Sequence, residues 1–365
     1  MKKIKVYLQY PWKFPDSPYY KYLIENPPKN IEYVNAENQK GVITNKSKFL
    51  FSNKLKRYIR DSFNFMNFSI PNAYFTKTNE KYDLIHCAHC LSKNEDTPWV
   101  ADFEGIWQFY IGKKNNKTIE KIRKILTSNR CKKIMPWTET TANEIIKEFP
   151  EIKNKVEVIY PAVPVQKFGK KESEKITILY ATRYFWLKGG LIALEVYRKL
   201  NKVYGNKIEL IFISDVPKDV KKRYPEIKIR GLVPKKELYE YYKKADVFFY
   251  PSFVDTFGFG LLEAMSFRLP VITVNTKYTK TRKEIIENGK NGFIFDINKD
   301  ANYYGISNNE QKVIDRLVKN LERLIKNRKL REKMSRNCID IIKNGKFSIK
   351  ERNKKLRKTY EEALK

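Results

Sequence analysis

The stretch VFFYPSFVDTFGFGLLEAMS, residues 247–266, decides the fold of this chain. Val247–Tyr250 is a short apolar run typical of a buried strand, and Gly258–Ser266 has the length and composition of a short helix. Gly258 and Gly260 stand where this helix begins. A strand, a glycine-containing turn and a helix in this order are typical of the repeating unit of a parallel α/β sheet.

The same alternation extends outward in both directions along the chain. Strands are predicted at Ile4–Leu8, Ile31–Val34, Tyr82–His86, Trp99–Phe103, Lys133–Pro136, Lys175–Tyr180, Ile208–Ser214, Ile227–Ile229, Val247–Tyr250, Pro270–Val274 and Gly292–Phe295. Helices are predicted at Thr118–Thr127, Thr140–Phe149, Gly190–Tyr204, Lys235–Lys244, Gly258–Ser266 and Lys283–Asn288, and the chain after Asp300 is predicted to be helical to its end. Two such series predict an α/β protein with two Rossmann-like domains, each with a parallel sheet covered on both faces.

A boundary between the two series is expected within residues 160–175. Pro161 and Pro164 interrupt regular structure there, and charged residues follow them. The sequence therefore predicts a first domain over residues 1–165, a second over 166–345 and a C-terminal helical segment over 346–365. A chain of 365 residues is also long enough for two domains.

The composition excludes several classes of protein. Hydrophobic residues make up 42% and aromatic residues 14% of the chain, which excludes a disordered protein, and four cysteines in 365 residues exclude a disulfide scaffold. The net charge of +33 indicates either a polyanionic partner or a Lys-rich surface. The lysines are spread along the whole chain, which favours the surface. No apolar stretch approaches the ~20 residues of a membrane span, and we expect a cytoplasmic protein with reduced thiols.

Asp255 and Glu263 flank the two glycines of the opening stretch, with seven residues between them. Glycines at a helix N-terminus let the backbone N–H groups approach a ligand closely. Carboxylates on either side of them can accept hydrogen bonds from sugar hydroxyls. The alternative is an ordinary strand, turn and helix, in which Asp255 caps the helix and Glu263 lies on a solvated face.

A second motif follows the strand at Lys175–Tyr180. Arg183 and Lys188 stand five residues apart, and Gly189 and Gly190 open the next helix. Two cations and a helix N-terminus at the carboxyl end of a parallel strand form an anion site suited to a diphosphate. The alternative is two surface cations in a chain that is rich in them.

Taken together, these motifs resemble those of the glycosyltransferases of family 4. The family's sequence elements read here as Arg183…Lys188-Gly189, Gly231-Leu-Val233, Ala245-Asp-Val-Phe-Phe-Tyr-Pro-Ser252 and Asp255…Glu263, followed by Leu269-Pro-Val-Ile272 and Asn288-Gly-Lys-Asn-Gly292. The resemblance covers residues 176–295. It implies a GT-B fold, in which two Rossmann-like domains face a central cleft and a C-terminal helix crosses back to the first domain.

The resemblance also implies roles for individual residues. Arg183 and Lys188 would neutralise the donor diphosphate, and Glu263 would accept hydrogen bonds from the nucleotide ribose. Asp255 would hold hydroxyls of the transferred sugar, together with the backbone of Phe257, Gly258, Phe259 and Gly260, and Val233 would lie near the base. The expected reaction is the retaining transfer of a hexose from a UDP- or GDP-sugar to a hydroxyl acceptor, either a glycan or a lipid-linked molecule, with no metal or other cofactor required.

This chain departs from the family's pattern at several positions. The first carboxylate is usually Glu but here is Asp255, and Lys277-Tyr278-Thr279 replaces the usual Gly-Gly pair. The glycine-rich loop after the first strand is replaced by residues 11–18, which include Trp12. The histidine that the family often has after its fourth or fifth strand corresponds here to Glu104.

Candidate residues for the acceptor lie in the first domain. Asp102 and Glu104 alternate on one strand, so both face the same side near its carboxyl end. Either could position an acceptor hydroxyl or act as a base, and the alternative is a solvated strand end. His86 ends a segment that resembles the family's Asp-x-Ile-His, which favours a position facing the cleft, and Trp12 is expected on the same side. The spacing of Cys87 and Cys90 is found in zinc sites, but without a second pair nearby the end of a buried strand is the better interpretation.

Two other classes of function deserve comparison with the enzyme. A nucleic-acid-binding protein would account for the charge, but the chain has no zinc finger, RNA-binding aromatic motif or basic region with heptads, so no nucleic-acid partner is expected. A non-catalytic protein on an anionic membrane would account for the 19 basic and 7 acidic residues between Gln311 and Lys365. Peripheral contact with the inner face of a membrane is also compatible with a glycosyltransferase.

Overall fold

The computed structural model describes residues 3–10, 18–36, 58, 62, 68–167, 174–297, 301–302, 305–306 and 309–365. The chain divides into two compact units. Unit 1 comprises Met1–Ala162 and Ile349–Lys365, and unit 2 comprises Val163–Ser348. Each unit is built on its own parallel sheet flanked by helices, so the predicted α/β class is confirmed.

Unit 1 contains a five-stranded parallel sheet. Its strands are β1 (Ile4–Gln9), β2 (Ile31–Tyr33), β5 (Leu84–Ala88), β7 (Trp99–Phe103) and β9 (Cys131–Pro136), in the order β2-β1-β5-β7-β9. Two small pairs lie outside it: β3 (Ser69–Pro71) is antiparallel to β8 (Tyr110–Gly112), and β4 (Ala73–Tyr74) is parallel to β6 (Leu91–Ser92). Strands β5 and β7 are buried along their whole length, as expected for central strands of a sheet covered on both faces.

Within the described residues, the longer helices of unit 1 are α1 (Pro18–Glu25), α2 (Asn116–Thr127), α3 (Glu139–Glu148) and α10 (Ile349–Ala363). Thr138 is the N-cap of α3, since its side chain accepts a hydrogen bond from the Thr141 N–H. Helix α10 returns to this unit, as the sequence predicts. Its Arg352 donates to the Asn26 carbonyl at 2.7 Å, and its buried Tyr360 hydroxyl lies 3.1 Å from that of Tyr33.

Unit 2 contains a six-stranded parallel sheet in the order β12-β11-β10-β13-β14-β15. The strands are β10 (Ile176–Ala181), β11 (Ile208–Ile213), β12 (Ile229–Arg230), β13 (Val247–Tyr250), β14 (Val271–Asn275) and β15 (Gly292–Asp296). The helices are α4 (Gly190–Tyr204), α5 (Lys218–Lys222), α6 (Lys235–Lys244), α7 (Phe259–Ser266), α8 (Glu310–Lys326) and α9 (Arg328–Lys343). The strand order reverses between β10 and β13, which is where ligands bind in sheets of this type.

The predicted helix at Lys283–Asn288 is wrong in place and type. A 3₁₀ turn spans Lys280–Glu284 instead, and the chain then forms a tight turn around Gly289. Gly289 has a φ of 81°, its N–H donates to the Gly292 carbonyl at 2.8 Å, and the Asn291 side chain accepts from the Glu287 N–H at 2.9 Å. These local bonds satisfy the backbone groups that a longer helix would have used.

Candidate functional site

The site in unit 2 is built at the carboxyl ends of β10 and β13, which are neighbours in the sheet. Lys188 lies in the loop between β10 and α4, and its ammonium group donates to the Val254 carbonyl at 2.6 Å. The same group lies 3.4 Å from an oxygen of Asp255 and 5.8 Å from the centre of the Tyr250 ring. Burial lowers the pKa of Lys188, but Tyr250 and Asp255 together raise that pKa above its usual value, so this lysine is charged.

Both oxygens of Asp255 face groups of the protein. Oδ1 faces Lys188, and Oδ2 accepts a hydrogen bond from the Tyr250 hydroxyl at 3.1 Å and lies 3.6 Å from a guanidinium nitrogen of Arg282. The side chain keeps 15% of its surface exposed. The structure therefore brings Lys188 and Asp255 together, as the two sequence motifs require, and adds Tyr250 and Arg282 to them. We call these four residues the unit 2 charge cluster.

Arg282 was not identified from the sequence. Its side chain is fully buried, and its Nη1 donates to the Ser252 carbonyl at 2.9 Å, to the Thr273 hydroxyl at 3.1 Å and to the Val274 carbonyl at 2.6 Å. Within the described residues, Nε and Nη2 have no hydrogen-bond partner. Burial lowers the pKa of Arg282, and Asp255 opposes that effect. A basic residue in a Lys-rich segment gives no sequence signal of burial, so only the tertiary structure identifies this residue.

The glycines at the N-termini of α4 and α7 differ in whether the surrounding protein leaves room for a side chain. Gly189 has a φ of 71°, and a Cβ there would lie 2.0 Å from the Pro251 carbonyl oxygen, whereas a Cβ at Gly190 would lie 2.1 Å from the Phe185 ring. These two glycines are needed for packing. A Cβ at Gly260, in the first turn of α7, would meet nothing within 4 Å. Packing therefore does not explain a glycine there, whereas a ligand that approaches the helix N-terminus would explain it.

The other predicted donor residues differ in exposure. Arg183 is exposed in the loop after β10, and Val233 is half-buried after β12. Glu263 on α7 is 3.3 Å from the ammonium group of Lys235. The Phe257 and Phe259 rings are 5.1 Å apart, with Phe257 buried. The loop after β10 thus carries an exposed cation, Arg183, and a half-buried one, Lys188, whose position is fixed by its contacts.

In unit 1, the structure places His86 and Asp102 inside the protein. His86 has no exposed surface, and its ring nitrogens are 2.7 Å from the Tyr360 hydroxyl and 3.0 Å from Oδ2 of Asp102. Asp102 is 1% exposed, and its Oδ1 accepts from the Tyr20 hydroxyl at 2.5 Å. The expectations of a cleft-facing His86 and of an accessible Asp102 are therefore wrong, because both side chains are covered by helices α1 and α10 and bonded to them.

His89 and Glu104 are the partly exposed members of this group. The side chains of His89 and Glu104 are 17% and 12% exposed, and His89 Nε2 lies 3.9 Å from an oxygen of Glu104 and 3.8 Å from Oδ1 of Asp102. His89 lies in the segment His86-Cys-Ala-His89, and the sequence predicts no role for it. Trp12 lies outside the described residues.

The described residues contain no group of three His, Cys, Asp or Glu side chains that could hold a metal ion. Cys87 and Cys90 are buried free thiols. None of the helices described is both long and apolar enough to cross a membrane.

Comparison with known proteins finds a family for the second half of the chain. Residues 165–340, which hold the whole unit 2 charge cluster, match the family model of the glycosyl transferases group 1. This segment is therefore similar to the group 1 glycosyltransferases. The match covers most of unit 2, and the candidate residues of unit 1 lie outside it.

Curated relatives match this chain over part of their length. An uncharacterized glycosyltransferase from Haemophilus influenzae is 25% identical over 238 residues, which are 63% of this chain and 62% of the relative. An alpha-monoglucosyldiacylglycerol synthase from Acholeplasma laidlawii is 32% identical over 142 residues, 37% of this chain and 34% of the relative. The matched segments thus span between about one third and three fifths of these two relatives.

Solved structures share the fold over almost the whole chain. A glycosyltransferase from Rickettsia africae has a TM-score of 0.64 at 16% identity, covering 100% of this chain and 99% of its own. Anabaena HepE, solved with UDP and glucose, has a TM-score of 0.55 at 13% identity, covering 98% and 99%. At these identities the likeness shows the fold alone, which is GT-B.

Proposed function

We propose that this protein is a retaining glycosyltransferase of family 4 that transfers a hexose from a UDP- or GDP-sugar to a hydroxyl acceptor. The unit 2 charge cluster carries the proposal. It presents a charged lysine beside a glycine-containing helix N-terminus, at the point where the strand order of a parallel sheet reverses. A diphosphate needs this combination of a cation and backbone N–H donors.

The residues of unit 2 have distinct roles in this proposal. Lys188 and Arg183 stabilise the negative charge that develops on the diphosphate as it leaves, which is the largest effect available to the protein without a metal. Glu263 accepts hydrogen bonds from the ribose, and Val233 lies near the base. Asp255 fixes Lys188 and accepts hydrogen bonds from the sugar through its exposed edge. In a retaining reaction the acceptor attacks from the side of the leaving group, whose phosphate oxygen takes the acceptor's proton.

The acceptor is a glycan or a lipid-linked molecule in this proposal. The name of the Acholeplasma laidlawii relative, a glucosyldiacylglycerol synthase, supports a lipid. The excess of basic over acidic residues between Gln311 and Lys365 supports contact with an anionic membrane. Co-sedimentation with phosphatidylglycerol vesicles and with phosphatidylcholine vesicles tests this part. Equal binding to both would overturn it.

A donor experiment tests the central proposal. Purified protein is screened by thermal shift against UDP-, GDP- and ADP-sugars with EDTA present, because a ligand that binds the folded state raises the unfolding temperature. We expect one nucleotide sugar to stabilise the protein and to be consumed when an acceptor is supplied.

Lys188→Met should abolish this stabilisation, whereas Lys199→Met is the matched control. Lys199 is also a lysine of unit 2 that pairs with a carboxylate, Asp315 at 2.7 Å, but it lies on the exposed face of α4. Unchanged donor affinity in both Lys188→Met and Arg183→Ala would refute the proposed role of the cluster.

A further inference from the structure

The second titratable cluster of the molecule lies in unit 1, and one of its atoms lacks a partner. His89 Nε2 is buried, and within the described residues it makes no hydrogen bond. Buried polar atoms of native proteins are paired in the great majority of cases, so each exception calls for an explanation. The two nearest charged atoms, on Asp102 and Glu104, stop at 3.8 and 3.9 Å, just beyond hydrogen-bond distance.

The backbone of His89 is held in an unfavourable conformation. Its φ of 57° lies in the left-handed region, which non-glycine residues rarely adopt. The conformation is fixed from both sides, because the His89 N–H donates to the Asp102 carbonyl at 3.2 Å and the Asn72 amide donates to the His89 carbonyl at 2.7 Å. Backbone strain that the surroundings enforce is concentrated at functional sites.

The imidazole ring is also fixed by its neighbours. It packs edge-on against Tyr20 and Trp137, with ring centres 5.3 and 4.8 Å away. Behind it, Asp102 is held by Tyr20 and by His86, which is itself held by Tyr360. This chain of bonds keeps a carboxylate at a fixed position next to His89. The histidine is therefore pre-organised, although none of these bonds engages its Nε2.

We propose that His89 and Glu104 form a hydroxyl-binding subsite for the acceptor, at the carboxyl ends of β5 and β7. A hydroxyl bound beside both groups accepts a hydrogen bond from His89 Nε2–H and donates a hydrogen bond from its own O–H to the Glu104 carboxylate. An oxygen about 2.8 Å from both groups fits their 3.9 Å separation. Both side chains keep some exposed surface on which the ligand approaches. Asp102 and His86 are positioning residues in this subsite.

This inference rests on the proposed transfer to a hydroxyl acceptor but involves only unit 1. It assigns hydroxyl recognition to an imidazole–carboxylate pair and removes His86 and Asp102 from direct contact with the acceptor.

The chain has only two histidines, which makes the test direct. In histidine ring ¹⁵N NMR spectra of the full-length protein, we expect two spin systems, assigned with His89→Gln. Methyl α-glucoside and glycerol serve as hydroxyl probes, and tetrahydropyran, a ring ether without hydroxyls, is the control. The hydroxyl probes should shift the Nε2 resonance of His89 in a saturable way and leave that of His86 in place, and tetrahydropyran should shift neither. If the His89 resonance does not shift with the hydroxyl probes, or shifts equally with tetrahydropyran, the proposed subsite is refuted.

Kinetics provide the second readout. Removing one partner of a hydrogen bond in the site weakens binding about tenfold, so His89→Ala and Glu104→Ala should each raise the acceptor KM by that factor. His89→Asn tests the backbone alone, because asparagine tolerates the left-handed region but does not reach the position of Nε2. It should behave like His89→Ala, and wild-type KM in His89→Asn would overturn the proposal. Donor binding, measured separately by thermal shift, reports on unit 2, so its absence in wild-type protein refutes the proposed function without deciding the subsite.

Discussion

Replacing Arg282 with methionine tests whether the unit 2 charge cluster acts as a single unit. Arg282 is fully buried, and Nη2 lies 3.6 Å from Asp255. Methionine fills a similar volume but leaves Lys188 as the only charged partner of Asp255 among the described residues. It also removes the donor for the Ser252 and Val274 carbonyls. We therefore expect Arg282→Met to lower the stability of the protein and to weaken nucleotide-sugar binding, although Arg282 itself does not contact solvent.

The magnitude follows from the burial of the pair. Removing one partner of a buried ion pair costs about 3–5 kcal/mol. Asp255 keeps 15% of its surface exposed and retains its contacts with Lys188 and Tyr250, so the lower end, about 3 kcal/mol, applies here. In a unit of the size of Val163–Ser348, each kcal/mol lowers the unfolding temperature by about 2–4 °C, which gives a decrease of roughly 6–12 °C.

Urea denaturation and calorimetry measure this loss. Arg198→Met is the matched control, because Arg198 is 44% exposed on the surface of unit 2, where it pairs with the neighbouring Glu195 and lies over the Tyr224 ring. We expect it to change the free energy of unfolding by less than about 0.5 kcal/mol. Asp255→Asn is then made in both backgrounds. If Asp255 is the counter-ion of Arg282, Asp255→Asn should lower the free energy of unfolding by at least about 1 kcal/mol less in the Arg282→Met background than in the parent protein.

Two outcomes would refute this reasoning. If the effects of Arg282→Met and Asp255→Asn add to within about 0.5 kcal/mol, the two residues are not coupled. If Arg282→Met is no less stable than the Arg198→Met control, the guanidinium is not needed where it lies. The functional expectation is separate: with Arg282 gone, Asp255 neutralises Lys188, and affinity for the nucleotide sugar should fall about tenfold, or ~1.4 kcal/mol.

Three further predictions concern other parts of the molecule. Gly260→Ala should keep or raise the unfolding temperature, because alanine is the better helix former by up to about 1 kcal/mol and its methyl group would contact nothing within 4 Å, yet the variant should bind the nucleotide sugar more weakly. Gly305→Ala, where the methyl group is equally unobstructed, is the thermal-shift control. Equal nucleotide-sugar binding by both variants would show that Gly260 does not belong to the site. Tyr360→Phe leaves the buried His86 nitrogen without its 2.7 Å partner and should cost about 1–3 kcal/mol in urea denaturation, and a neutral result would contradict the bonded network of unit 1. Burial raises the pKa of Cys131 to about 12, so this thiol should resist a thiol reagent at pH 8 until the protein unfolds. Because the thiol ionises at a lower pH in the unfolded chain than in the folded protein, the stability that Cys131 contributes should be lost as the pH rises above about 8.5. Rapid labelling of Cys131 in the folded protein would contradict this prediction.

The sequence is sufficient to predict the alternation of strands and helices and the two separate motifs that contain Lys188 and Asp255. These are local properties, since apolar spacing, glycine positions and capping residues act within about ten residues of chain. For this reason Gly190–Tyr204, Lys235–Lys244 and Val247–Tyr250 were predicted to the residue. The 3₁₀ turn at Lys280–Glu284 was missed, because side-chain bonds from Asn291 and the turn at Gly289 override the helical spacing there.

Only the tertiary structure decided which polar residues are buried and with what partners. Arg282, His86 and Asp102 look in the sequence like other charged or polar residues in a chain with a net charge of +33. Their burial follows from long-range packing, since Tyr360 reaches His86 across 274 positions and Asp255 faces a guanidinium from another loop. Burial in turn converts these residues from surface charges into fixed partners whose removal is costly. The sequence thus placed the chemistry on the correct strands and loops, and the packing determined which of its side chains contact one another and which remain accessible.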